Sequence, residues 1–219
     1  MLSGQRLARL ILLAAGAVTA QADDLEYLHI VNTNLDFRPG WTLQIHSRVR
    51  TFEGMKTFNQ ARVGPVLMWQ ALPRLNLIAG YYFIHQNSRG VHRTTDLQRY
   101  WGGGQIRVVH RPKWTLDTRH LMERFNPGLE ARPDYWRVRN RAMVTLKTPR
   151  VQPYWGGEAL RQEKIWYGRY SAGIQFRPGK RVLMSMGWEY RDAPVGAGSH
   201  VLVTMLQFDA YRHAPQHID

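Results

Sequence analysis

Cysteine is absent from all 219 residues. A disulfide scaffold is therefore excluded, and the fold must hold by pairing and packing alone. Acids are scarce: 16 Asp and Glu stand against 30 Lys and Arg, a formal net charge of +14. That balance invites a nucleic-acid partner, but the basic residues are scattered and build no tail or helix face long enough for one. A long apolar run is missing after the first twenty residues, so residence in a membrane would have to do without transmembrane helices. The nine histidines include no HxH or HExxH pair. No metal and no cofactor is expected from that pattern.

What is present begins with an export signal. Arg6 and Arg9 form a cationic start, Leu10 to Val18 an apolar stretch too short to span a bilayer, and Ala20-Gln21-Ala22 a small-residue cleavage site. Removal of 1–22 starts the mature chain at Asp23 and takes away two arginines and no acid, leaving a net of +12. Export also places the chain away from nucleic acid.

The mature chain has a period of two and almost no helical period. In YWRVRNRAMVTLKT, residues 135–148, Arg137, Arg139 and Arg141 alternate with Trp136, Val138 and Asn140, and Ala142, Val144 and Leu146 continue the apolar side. Residues 166–177 alternate Trp166, Gly168, Tyr170, Ala172, Ile174 and Phe176 with Tyr167, Arg169, Ser171, Gly173, Gln175 and Arg177, and 41–50 behave alike. Further candidates are 58–69, 75–86, 98–110, 114–123, 151–160, 181–190 and 200–211, each about long enough to cross a bilayer as a tilted strand. The expected fold is all-β, an antiparallel up-and-down transmembrane barrel of 10 to 12 strands.

The connections sort by length. Gln70–Arg74, Arg111–Lys113, Thr148–Arg150 and Arg177–Lys180 are short, most built on a proline; Glu53–Thr57, Asn87–Leu97, Arg124–Asp134, Arg161–Ile165 and Arg191–Gly198 are longer and polar. Short and long alternate strictly, the pattern of an outer-membrane barrel with short periplasmic turns and longer outer loops. Aromatic residues of the apolar face fall at two depths: Trp41, Trp69, Trp114, Phe176 and Phe208 at the periplasmic ends, Phe83, Tyr100, Trp136, Trp166 and Trp188 at the outer ends. Two such girdles are what a bilayer's two interfaces select. Core aromatics of a soluble sandwich or lipocalin-like barrel would instead scatter along the strands.

The stretches FNQARVGPVLMW, RLNLIAGYYFIHQ, DLQRYWGGGQIRVVHR, TLDTRHLMERF, YWRVRNRAMVTL, YWGGEAL and YGRYSAGIQFRPGKRVLMSMGWEYR, in this order, resemble a bacterial family catalogued as domain of unknown function 2490. The resemblance covers nearly the whole mature chain, most specifically at Glu123-Arg124, the Arg137, Arg139, Arg141 ladder, Glu158 and Arg169. It implies an exported outer-membrane barrel of Gram-negative bacteria, inserted by the barrel-assembly machinery, with no established activity. One departure lies at the end, where Phe208 and Tyr211 are followed by Arg212–Asp219 rather than closing the chain.

Residues 25–36 read as an eleventh strand, yet bacterial single-chain barrels normally close on an even number. Ten strands over 41–211 satisfy that rule. The expectation is then an N-terminal accessory segment or partial strand over 23–40 and a C-terminal tail over 212–219, with twelve strands possible if 25–36 breaks around Asn32–Asn34.

Strand direction places Arg48, Arg50, Arg62, Arg99, Glu123, Arg137, Arg139, Arg141, Glu158, Arg169 and Glu189 inside, in the outer half. Eight arginines face three glutamates, so some guanidinium groups lack a protein partner and could attract an anion. Candidates are a small anionic solute in passage, a phosphate or carboxylate ligand, or lipopolysaccharide phosphates at the rim, with Arg137, Arg139 and Arg141 as the centre. The same network could instead only fill and brace a narrow lumen. Catalysis finds little support. His46 and Ser47 are adjacent and point to opposite faces, His85 and Ser88 carry no mark beyond composition, and His120 sits on the lipid side. A third reading, a lipid-modifying enzyme, stays behind passive passage and a closed structural barrel. Gly102-Gly103-Gly104 lacks the lysine and helix of a phosphate loop and reads as close packing within a strand.

Overall fold

The period-two segments form strands that close on themselves. The computed structural model describes residues 25–87, 94–127, 133–192 and 198–211; the expected export segment 1–22 and tail 212–219 lie outside the described residues. Eleven strands follow one another: β1 (Leu25–Arg38), β2 (Trp41–Phe52), β3 (Thr57–Leu72), β4 (Leu75–Asn87), β5 (Thr94–His110), β6 (Trp114–Asn126), β7 (Tyr135–Leu146), β8 (Gln152–Gln162), β9 (Ile165–Gly179), β10 (Val182–Arg191) and β11 (Ser199–Tyr211). Each pairs antiparallel with its chain neighbour, and β1 pairs with β11 in parallel to close the barrel. Closure leaves no sheet edge bare.

The strand count corrects the parity argument. Residues 25–36 are not an accessory segment: β1 is a full wall strand of 14 residues, paired with β2 from Tyr27↔Thr51 to Arg38↔Trp41 and with β11 from Leu25↔His200 to Leu35↔Tyr211. A ten-stranded barrel starting at Trp41 gives way to eleven strands. The physical reason is that β1 supplies hydrogen-bond partners to two edges at once, and a parallel seam accommodates an odd number.

Short turns collect at one end, here the turn rim: 39–40, 73–74, 111–113, 147–151 and 180–181. In the first, Pro39 stops β1 and Gly40 adopts φ +76°, a left-handed conformation that glycine takes without penalty. The other end, the loop rim, carries 53–56, 88–93, 127–134, 163–164 and 192–198. One expected long loop, Arg161–Ile165, is instead the two-residue turn Glu163-Lys164. β8 and β9 stay paired up to Gln162↔Ile165, and Glu163 takes φ +54° to complete the reversal. Strands also reach further toward this rim than their alternation suggested, β5 starting at Thr94 and β6 running to Asn126.

The wall has two chemically distinct faces. Outside stand Ile45, Val49, Val63, Met122, Val138, Trp155 and Met186, all exposed. The ten girdle aromatics share this face: Trp41, Trp69, Trp114, Phe176 and Phe208 toward the turn rim, Phe83, Tyr100, Trp136, Trp166 and Trp188 toward the loop rim. Trp41 and Trp69 stack across β2 and β3 with centroids 5.4 Å apart. Inside, an apolar block fills the side of the lumen formed by β3 to β6, from Val66, Ile78, Tyr82, Ile84, Leu97, Trp101, Leu121 and Phe125. Gly103 belongs to that wall: a Cβ there would run into the His120 carbonyl, so the glycine lets β5 and β6 approach closely.

Candidate functional site

Beside the apolar block and on across the lumen to β10, the interior is charged. Alternate residues of a strand share a face, so Arg137, Arg139 and Arg141 of β7 point inward together. Register then brings their neighbours alongside: Glu123↔Arg137, Leu121↔Arg139 and Arg119↔Arg141 across β6 and β7, Arg141↔Glu158 across β7 and β8, Glu158↔Arg169 across β8 and β9, and Arg169↔Arg191 across β9 and β10. By the same alternation Arg48, Arg50, Arg62, Arg99 and Glu189 face the lumen, completing the set expected from the sequence.

Two glutamates organise most of this charge. Glu123, fully buried, is held by Arg99, by Arg137 Nε at 2.6 Å and by Arg139 Nη1 at 3.0 Å. Glu158 accepts from Arg139 Nε at 2.9 Å and from its Nη2 at 2.6 and 2.9 Å, with Arg169 at 3.5 Å and Arg119 at 4.0 Å. Arg139 therefore bridges both carboxylates, one of them through a fork, the strongest geometry available to a guanidinium. The ring of Phe125 flanks this group, with the Arg137 and Arg99 guanidinium carbons 4.6 and 5.5 Å from its centroid. Nearer the β1–β11 seam, Glu26 pairs with Arg50 and with Arg191 at 3.5 Å, while Glu189 pairs with Arg191.

Four members of this network were not singled out in the sequence. Glu26 sits in the segment read as accessory, and Arg191 at the edge of an expected loop. Arg119 was legible, since it stands four residues before Glu123 and so on the same face. His46 was weighed only as a catalytic base. It is buried, its Nδ1 lies 2.8 Å from Asn32 Oδ1, and its Nε2 accepts from Arg62 Nε at 3.1 Å. A ring nitrogen that accepts from a guanidinium carries no proton, so the imidazole is neutral, with its hydrogen on Nδ1.

The expected centre shifts accordingly. Arg137 and Arg139 are committed to Glu123 and Glu158, and only Arg141 of that ladder meets no carboxylate among the described residues. Two more arginines are in its position. Arg48 donates to Gln60 Oε1 at 2.6 Å, and Arg62 donates to His46 and lies 4.7 Å from the Tyr82 ring centroid. In the middle and loop-rim half of the lumen, ten arginines (48, 50, 62, 99, 119, 137, 139, 141, 169 and 191) face four glutamates (26, 123, 158 and 189); toward the turn rim Arg107 and Arg177 face Asp36, Asp117 and Asp209, so twelve arginines stand against seven acids, leaving five positive charges over.

The residues weighed for catalysis fall apart in space. His46 faces the lumen while Ser47 faces out, its hydroxyl donating to the Val31 carbonyl at 3.3 Å. His85 pairs with Asp96 at 2.6 Å on the outer wall, and Ser88 lies outside the described residues. His120 is also on the outer wall, its Nδ1 2.8 Å from Asn140 Oδ1.

Residues 26–200 match a family model described as "Protein of unknown function (DUF2490)". Comparison with curated proteins and with solved structures returns no match.

Proposed function

The chain belongs to the DUF2490 family, and because that description assigns no activity, we propose from the barrel itself that it is a bacterial outer-membrane protein whose arginine-lined lumen binds small anions and lets them pass. Membrane residence is supported by the wall. Exposed apolar side chains recur along the outside of nearly every strand, where a soluble monomer keeps such residues scattered. Aromatics gather toward both rims, and the short turns are segregated from most of the longer loops.

The observation that carries the anion reading is the imbalance of lumen charge, twelve arginines over seven acids. Confining that excess of cations in a narrow, partly dry tube is costly unless anions visit it. Water reaches part of this charge, since the Arg50, Arg119 and Arg169 side chains remain 22%, 23% and 18% exposed. The experiment is reconstitution in a planar bilayer under a KCl gradient. Conductance with a reversal potential of the sign set by chloride is the expected result; cation selectivity refutes the reading. A specific observation favours a second role, a closed structural barrel: Glu123 has no exposed surface and the apolar block occupies one side of the lumen. Absence of any conductance step from well-inserted protein would favour that role.

A further inference from the structure

We propose that the lumen holds a doubly charged oxyanion, a phosphate or sulfate group, between Arg48 and Arg62; this rests on the anion-binding reading above and gives it a seat and a ligand class. Arg48 and Arg62 occupy directly opposed positions of β2 and β3. Like charges at such positions repel, and sheets normally avoid them. Around Glu123 and Glu158 crowded arginines are resolved by a glutamate. Here the neighbouring side chain is Gln60, itself tied to Gln86 Oε1 at 3.2 Å, and it answers Arg48 with a neutral amide oxygen.

Both guanidiniums keep donors that no carboxylate among the described residues takes. Arg48 spends one nitrogen on Gln60, and its Nε is buried without an acceptor among the described residues. Arg62 gives its Nε to His46, which Asn32 anchors from behind, and the Tyr82 ring supports the guanidinium. That arrangement fixes the head of Arg62, and its two terminal nitrogens meet no carboxylate among the described residues. Across the lumen Arg169 and Arg191 are each bound to glutamate, and the Nε of Arg169 is buried without an acceptor among the described residues. Arg48 and Arg62 thus stand side by side with no carboxylate between them. A monocarboxylate brings one charge and two oxygens, whereas a phosphate or sulfate group brings up to two charges and enough oxygens to accept from both forks on one wall and from the opposite wall.

The test uses the full barrel purified in detergent, with inorganic phosphate titrated in by calorimetry and the thermal unfolding midpoint read with and without phosphate. Wild type should bind phosphate more tightly than acetate and gain in midpoint. R48Q/R62Q should lose phosphate affinity by more than tenfold, and its midpoint without phosphate should rise, because a repulsion is relieved and no carboxylate loses its partner. R107Q, which removes a guanidinium paired with Asp117 near the turn rim, should bind phosphate as wild type does. Phosphate affinity of R48Q/R62Q within twofold of wild type overturns the proposed seat. So does a wild-type barrel that is anion-selective in a bilayer yet indifferent to phosphate, and in that case the anion reading stands. A wild type that shows neither property removes both.

Discussion

Glu123 shows at the scale of a single residue why this lumen is held by its acids rather than by its bases. Three guanidiniums converge on one carboxylate with no access to water. Removing the charge leaves Arg99 and Arg137 without a carboxylate while Arg139 keeps Glu158, and breaking such a buried pair typically costs about 3–5 kcal/mol. E123Q should therefore lower unfolding stability in denaturant by roughly that amount. R141Q, which deprives no carboxylate of an ion pair, should cost far less. Equal losses for the two variants would show that the ion pairs do not carry the difference. The inward direction of these side chains could be read from alternation alone, because a period of two is local. Their partners could not. Whether Glu123 meets Arg137 or some other arginine depends on the stagger between β6 and β7, which no single segment encodes.

At the scale of the element, β7 carries both faces of the argument in neighbouring positions. Val138 points out and Arg139 points in, one residue apart. If lipid surrounds the wall, lysine at Ala142, an exposed outward position midway along β7, should destabilise by about 2–4 kcal/mol, the cost of a cation at the bilayer midplane on a barrel's outer face. A soluble β-structure would accept lysine there with little change, so unfolding of A142K discriminates the two. β1 supplies the complementary test. Deleting residues 25–38 leaves β2 and β11 with open edges and should abolish the folded barrel, measured as loss of protease resistance. A ten-strand barrel with a dispensable leader segment would survive the deletion. The sequence signalled β1 as a strand but argued it out of the wall, because parity is a rule about whole barrels and the parallel β1–β11 seam joins residues at opposite ends of the chain. The turn at Glu163-Lys164 is shorter than polarity alone predicts for a related reason: how far β8 and β9 stay paired decides the length of their connection.

For the whole molecule, an odd strand number has a topological consequence. β1 begins at the loop rim and β11 ends at the turn rim, so the two ends of the barrel wall lie on opposite sides. On the proposed outer-membrane placement, with the short turns periplasmic, the start of β1 would face the outside of the cell. Closure, seam and lumen charge all rest on one assignment, apolar side out and arginine in. The measurement that tests it most directly is the electrophoretic mobility of the mature protein, taken from a separated outer-membrane fraction, with and without boiling in detergent. A closed barrel resists unfolding by detergent, so the unheated protein should run ahead of the boiled one and be found in that fraction. Protein recovered as a soluble periplasmic species with no change in mobility would contradict the assignment, make the exposed aromatic face a protein contact surface and remove the membrane from the account.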